Sequence, residues 1–244
     1  MKQNLFFIAL ISLGLLAVLL SFSPQKHHTD DNIISYIADP KTQDLQLYWK
    51  DDKGEIIQSI QNLKDHLARK NKKLVFAMNG GMFKAGNIPV GLFIQQQQTI
   101  TALDTAEGSG NFYLKPNGVF YITKDNQAAI CTTGDFTNKN AAKWATQSGP
   151  MLVINGDIHP GFNKGSANVN IRNGVGILPD HKIVFAMSKT PINFYDFAEY
   201  FKTLGCKNAL YLDGFVSRTY LPEKNWIQTD GNFGVIIAVS ANAR

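Results

Sequence analysis

Four short segments place polar and glycine residues directly after apolar runs, an arrangement that holds a reactive group rigidly while it faces a crevice. The sharpest is Leu210–Arg218, which reads Leu-Tyr-Leu-Asp-Gly-Phe-Val-Ser-Arg. Its apolar start predicts a buried strand that delivers the Asp213 carboxylate into a turn at Gly214, with the Ser217 hydroxyl close behind. A carboxylate so placed suits work as a base, a nucleophile or a stabiliser of developing positive charge. Taken alone, Asp213 also fits a turn or capping aspartate.

The other three segments add complementary chemistry. In Asn79-Gly80-Gly81-Met82-Phe83, the glycines allow close backbone approach to a ligand and Asn79 supplies a donor and an acceptor. A glycine hairpin turn is the plainer alternative. In Gln147-Ser148-Gly149-Pro150, Ser148 can meet a ligand hydroxyl. In Asn170-Ile171-Arg172-Asn173-Gly174, an arginine among apolar and glycine residues is badly placed as a solvated charge, and its fork matches phosphate or carboxylate. A structural ion pair is the competing reading. His159, followed by Pro160, reads first as a surface turn and second as a general acid or base, and Asp157 reads as a turn residue.

Several chemistries find no support. The chain has no phosphate-binding P-loop, dinucleotide fingerprint, HExxH, Gly-x-Ser-x-Gly or EF-hand pattern. Its histidines fall in linker, helix or turn contexts, so neither a nucleophilic triad nor a histidine metal site assembles. No metal or cofactor is expected. A single cation through Asp213 or Asp157 stays open. Cys131 and Cys206 lack zinc-ligand spacing, and they read either as a disulfide or as two buried thiols.

The elements that must position these groups are legible from periodicity. Ile33–Ile37, Leu45–Trp49, Leu74–Met78, Gly91–Ile94, Phe112–Leu114, Val119–Ile122, Ala128–Ile130, Pro150–Ile154, Val175–Leu178, Lys182–Met187, Ala209–Leu212 and Val235–Val239 read as strands. Asp51–Gly54 marks a hairpin turn. Helical spacing predicts helices near Ser59–Lys70 and Asn193–Leu204, and a short one over Asn138–Thr146. The stretch Lys73–Asn79 echoes Lys182–Ser188, which two equivalent strands would explain. Many strands with two main helices and no strict alternation predict one α+β domain, residues 33–244, with a mixed and largely antiparallel sheet.

Length and composition are compatible with this. The chain has 244 residues, is 44% hydrophobic and 18% charged, and carries a net charge of +5 without a dense basic cluster. That permits anionic substrates and gives no sign of nucleic-acid binding. Lys2 followed by the uncharged run Leu5–Leu20 predicts an export signal or an uncleaved anchor over residues 1–24, then a polar linker, residues 25–32, with His27 and His28. The domain is therefore expected outside the cytoplasm, periplasmic or extracellular, with a membrane tether through residues 5–20 if the leader is kept.

Asn79-Gly-Gly-Met-Phe83, Ser148-Gly-Pro-Met-Leu152, Arg172-Asn-Gly-Val-Gly-Ile177 and Leu212-Asp-Gly-x-x-Ser217, in this order, resemble the phosphodiester glycosidase domain family. The resemblance spans roughly Leu74 to Val239 and is nearer to a bacterial periplasmic branch than to the branch of N-acetylglucosamine-1-phosphodiester alpha-N-acetylglucosaminidase. It implies cleavage of the glycosidic C–O bond of a sugar-1-phosphodiester in an envelope or extracellular glycan. Asp213, Arg172 and Asn79 are the implied catalytic groups. Gly80, Gly81, Phe83, Ser148, Gly149, Asn173, Gly214 and Ser217 are the implied substrate contacts. The implied partner is a carbohydrate phosphodiester. A non-catalytic glycan or cell-wall binding module in exopolysaccharide metabolism is the alternative. The sequence departs from the eukaryotic branch at Phe215-Val216, where that branch has glycines, so the bulky Phe215 should reshape the pocket.

Overall fold

Runs of residues buried on both faces account for most of the longer strands of this computed structural model, which describes residues 31–137 and 141–243. The expected leader, the linker up to residue 30 and residues 138–140 lie outside the described residues. Among the described residues, no helix is long and apolar enough to cross a membrane. In chain order the first elements are β1 (Ile33–Ala38), β2 (Asp44–Tyr48), α1 (Ile60–Ala68), β3 (Lys72–Asn79), β4 (Phe83–Lys84), β5 (Ile88–Pro89), β6 (Phe93–Gln95) and β7 (Gln98–Thr101). The middle of the chain gives β8 (Gly118–Thr123), β9 (Ala128–Thr132), β10 (Ala142–Ser148), β11 (Met151–Ile154), β12 (Asp157–Ile158), β13 (Asn173–Ile177) and β14 (Ile183–Ser188). Then follow α2 (Phe194–Thr203), β15 (Ala209–Tyr211), β16 (Thr219–Leu221), β17 (Trp226–Ile227) and β18 (Ile236–Asn242).

The strands form three main antiparallel sheets and the small β4–β5 pair, ordered β1-β14-β13-β15-β11-β12, β7-β6-β10-β8-β9 and β17-β16-β3-β18-β2. This is an α+β fold with two helices. All three sheets contribute to one central core: Phe185 and Met187 from the first, Phe93, Phe120 and Trp144 from the second, Phe76, Met78 and Ile237 from the third. Helices cover the outer faces of two sheets. Ile60, Leu63 and Leu67 of α1 pack on Ala77 and Ala238, and Phe197, Ala198 and Phe201 of α2 pack on Leu152 and Ala186. Replacing either α2 phenylalanine by alanine would cost about 3–5 kcal/mol.

Local chemistry sets the helix limits. The Ser59 hydroxyl accepts from the Asn62 N–H at 3.1 Å and caps α1. The Asn193 side chain accepts from the Asp196 N–H at 2.9 Å and caps α2. Gly205, at φ +80°, ends α2 in a conformation that side chains resist.

The internal echo is structural. β3 and β14 sit in different sheets and face each other across the core, with the Phe76 and Phe185 rings 5.2 Å apart. In each strand the phenylalanine and methionine point inward, while Ala77 and Ala186 make room for a helix on the other face.

Two expectations fail locally, and one open alternative, at the cysteines, is decided. Ala142–Ser148 is a strand, not the end of a helix: it fills the centre of the second sheet between β6 and β8, where Trp144, Ala145 and Thr146 are buried. Asn111–Tyr113 forms a tight 3-10 turn instead of a strand, held by the Tyr113 N–H to Gly110 O and Leu114 N–H to Asn111 O bonds. Cys131 and Cys206 are free thiols. Burial raises their pKa values to about 11 and about 12.

Candidate active site

β3 of one sheet and β13 and β15 of another converge at one corner, and their ends supply Asn79, Asn173 and Asp213. The two asparagine side chains grip the backbone around the carboxylate. The Asn173 carbonyl oxygen of the side chain accepts from the Asp213 N–H at 2.8 Å, and the Asn173 main-chain oxygen accepts from the Leu212 N–H at 3.1 Å. Asn79 Nδ2 donates to the Asp213 carbonyl at 3.0 Å, and the Ser217 hydroxyl donates to the same oxygen at 2.8 Å. Asn79 Oδ1 accepts from Asn173 Nδ2 and from the Arg218 N–H, both at 3.0 Å. Asn79 and Asn173 are buried, so these bonds form away from competing water and define a single geometry.

The Asp213 carboxyl itself stays outside that mesh. Burial raises its pKa to about 7, and the nearby Phe215 N–H pulls in the opposite direction. Among the described residues no lysine or arginine forms an ion pair with it. A carboxyl that titrates near neutrality without a counter-ion is matched to proton transfer.

Gly214 is dictated by space. A Cβ there would lie 1.9 Å from the Tyr211 hydroxyl and 2.7 Å from the Ile171 carbonyl oxygen. Tyr211 therefore forms the floor under the Asp213 turn. Sequence reasoning passed over Tyr211. Its signal was the alternation of a strand, in which residues 211 and 213 share a face.

Arg172 lies beneath the site with its side chain packed. It is 1% exposed. Nε donates to the Ile192 carbonyl at 2.8 Å, and one Nη donates to the Asn168 carbonyl at 2.9 Å. The guanidinium carbon stands 3.5 Å from the Phe194 ring centroid. That ring stacks on Phe162 at 4.8 Å, and Phe162 stacks on His159 at 4.6 Å. Burial lowers the Arg172 pKa, and Tyr211 opposes the shift. A two-toothed grip on phosphate by Arg172 would require it to release those carbonyls. The expected surface turn at His159 is corrected: the ring is buried in this column, its Nδ1 accepts from the Gly161 N–H, and burial lowers its pKa.

The remaining expected contacts divide. Gly80 N–H is committed to the Val235 carbonyl at 2.8 Å and is not available to a ligand. A Cβ on Gly80 would meet Ile237 at 2.7 Å, one on Gly81 would meet Thr146 at 2.7 Å, and one on Gly149 would meet Asn117 at 2.6 Å. These glycines serve close packing of the three sheets. Ser148 is fully buried and its hydroxyl donates to the Leu212 carbonyl, so it braces the strand before Asp213 instead of facing a ligand. Phe83 is half-buried against Gly234 and lines a separate surface cleft with Met82, Lys84, Asp104 and Tyr113. Asp157 is paired with Lys202 at 3.1 Å on the surface. The cluster at the strand ends thus unites Asn79, Asn173, Asp213, Gly214 and Ser217.

A family model for the phosphodiester glycosidase domain matches residues 72–239, which contain every one of these groups. The chain belongs to the phosphodiester glycosidase family. It is 38% identical over 188 residues to the uncharacterized protein YigE of Escherichia coli (strain K12), covering 77% of this chain and 73% of the relative. The fold resembles the catalytic domain of zebrafish N-acetylglucosamine-1-phosphodiester alpha-N-acetylglucosaminidase, solved in a form auto-inhibited by its pro-peptide. That match has a TM-score of 0.59 at 15% identity and covers 88% of this chain and 85% of the other. A putative exported protein of Burkholderia pseudomallei matches with a TM-score of 0.54 at 11% identity, over 85% of this chain and 73% of that one.

Proposed function

We propose that this protein hydrolyses the glycosidic C–O bond of a sugar-1-phosphodiester, with Asp213 as the base that activates water. The observation that carries this reading is the Asp213 carboxyl: raised to about 7, free of an ion pair, and aimed from a backbone locked by Asn79 and Asn173. Membership of the family supports the reaction class.

The chemistry balances with one carboxylate. Asp213 accepts a proton as water oxygen bonds to C1, and the C1–O bond breaks with its electron pair leaving on the phosphate. The products are the free sugar and a phosphomonoester. Ordinary glycosidases need a second carboxyl to protonate an alkoxide leaving group. A phosphomonoester anion is a far better leaving group, so that second acid is not required. Arg172 contributes a buried positive charge beneath the site that favours a bound anion, and it acts without releasing its carbonyl partners. Asn79, Asn173 and Ser217 hold Asp213 on target.

The apolar run Leu5–Leu20 after Lys2 supports an activity outside the cytoplasm, on an envelope or extracellular glycan. The test is turnover of N-acetylglucosamine, glucose, galactose and mannose 1-(methyl phosphate) in ¹⁸O-labelled water. Label in the sugar supports C–O cleavage. Label in the phosphate, or binding of these esters without turnover, sinks the reading.

A further inference from the structure

We propose that Phe215 is the platform on which the substrate's pyranose ring stacks, and that it sets which sugar the site accepts. This rests on the reading that Asp213 works at C1. Phe215 is 92% exposed, the most exposed of the large apolar side chains among the described residues. An exposed phenyl ring forgoes about 2–3 kcal/mol of burial that folding could have gained.

Slack chain does not explain its position. Residues Gly214–Ser217 form a tight turn closed by the Ser217 N–H to the Gly214 carbonyl at 3.0 Å. Both ends of that turn are tied to the asparagine mesh, at the Asp213 N–H on one side and the Arg218 N–H on the other. Val216 packs inward on the cluster that contains Tyr220 and Phe233, while its neighbour Phe215 faces solvent. Gly214 sits on the Tyr211 hydroxyl and tolerates no side chain. The turn that carries the carboxyl therefore presents one large side chain beside it.

The chemistry selects the ligand. A pyranose offers a face of C–H bonds, and an aromatic ring is the side chain that buries such a face while the hydroxyls keep their polar contacts. The sugar whose C1 meets Asp213 is the ring within reach of a residue two positions along. An axial hydroxyl on the covered face would lift the ring off, so Phe215 discriminates between epimers. In the free protein the Phe215 ring fills no pocket and is exposed to solvent on the turn next to Asp213, where a sugar can cover it.

The experiment uses the full chain, the four sugar 1-(methyl phosphate) esters, and Phe215→Ala, Phe215→Tyr and Phe215→Trp. Difference emission spectra of Phe215→Trp against wild type should show a saturable blue shift with the accepted ester. Phe215→Ala should raise KM about tenfold with kcat within a factor of about three, while Phe215→Tyr keeps the wild-type KM. If the esters bind without turnover, the hydrolase reading fails, and the Phe215→Ala effect on Kd still decides the platform. An unchanged KM or Kd in Phe215→Ala, a silent Phe215→Trp probe under saturating ester, or no binding of any ester by wild type overturns the proposal.

Discussion

Gln147 and Ser148 are successive residues of β10, so they point to opposite sides of its sheet and belong to two different buried polar clusters. On one side the Gln147 amide is fully spent. Its oxygen accepts from the Leu92 and Asp104 N–H groups, both at 2.9 Å, and its nitrogen donates to the Asp104 carbonyl at 2.6 Å and the Thr133 hydroxyl at 3.1 Å. On the other side Ser148 braces Leu212, and the asparagine mesh around it fixes the main chain while the Asp213 carboxyl, beside the Phe215 N–H, forms no ion pair among the described residues. Both clusters are buried and hydrogen-bonded. A cluster whose valences are all consumed can only hold the fold, whereas one that spends its bonds on positioning a single ionisable group is equipped for reaction.

Asp213→Asn should break this contrast most visibly. It is nearly isosteric, and turnover of the accepted ester should fall about 10³-fold. Retained turnover in the folded variant removes Asp213 from the mechanism. The same variant reports through stability. In wild type the folded pKa of about 7 exceeds the ordinary 3.8, so the folded state binds the extra proton between those values. The stability of wild type relative to Asp213→Asn should therefore fall as pH rises from about 4 to about 7, then level off. The shift corresponds to at most ~4 kcal/mol. Urea titrations of both proteins at pH 5 and pH 8 read this difference, and a pH-independent gap would contradict the raised pKa.

Gln147→Leu should act the other way. It strands two N–H groups, a carbonyl and a hydroxyl in a buried setting and should cost about 3 kcal/mol, read as a lower urea midpoint. Its kcat, corrected for folded fraction, should stay near wild type; a large kcat loss would mean that the two clusters are coupled. Asn79→Ala removes a donor from the Asp213 carbonyl and an acceptor from Asn173 and Arg218. Turnover should drop about 10–100-fold as the carboxyl loses its aim. The smallest effect is the pH profile itself: kcat/KM should rise towards a plateau above about pH 7 if Asp213 is a base, and a fall through that pH would recast it as an acid.

Much of the scaffold was legible from pattern, because strands buried on both faces read as short apolar runs and helices with an apolar stripe write their period into the chain. α2 is the clearest case, with Phe194, Phe197, Ala198 and Phe201 buried on one side and Asn193 as its cap. β10 was misread because Ala142–Ser148 is buried along nearly its whole length yet carries Lys143, Thr146, Gln147 and Ser148, so it shows neither alternation nor the continuous apolar run that marks the equally buried β14. The family motifs identified the site's segments, and the chemistry of each residue type named its capabilities.

The sequence by itself determined the strand-borne carboxylate, the turn behind it and the family that carries such a turn, because these depend on residue type and near neighbours. Only the tertiary structure decided which polar groups are spent and which are left. Ser148, Gly80 and Arg172 carry suitable atoms, yet their partners come from Leu212, Val235, Ile192 and Asn168 on other segments of the chain. Hydrogen-bond capacity is a property of the residue, but its commitment depends on contacts between segments far apart in the chain. That is why Asp213, alone in the mesh, keeps a titratable group in reserve.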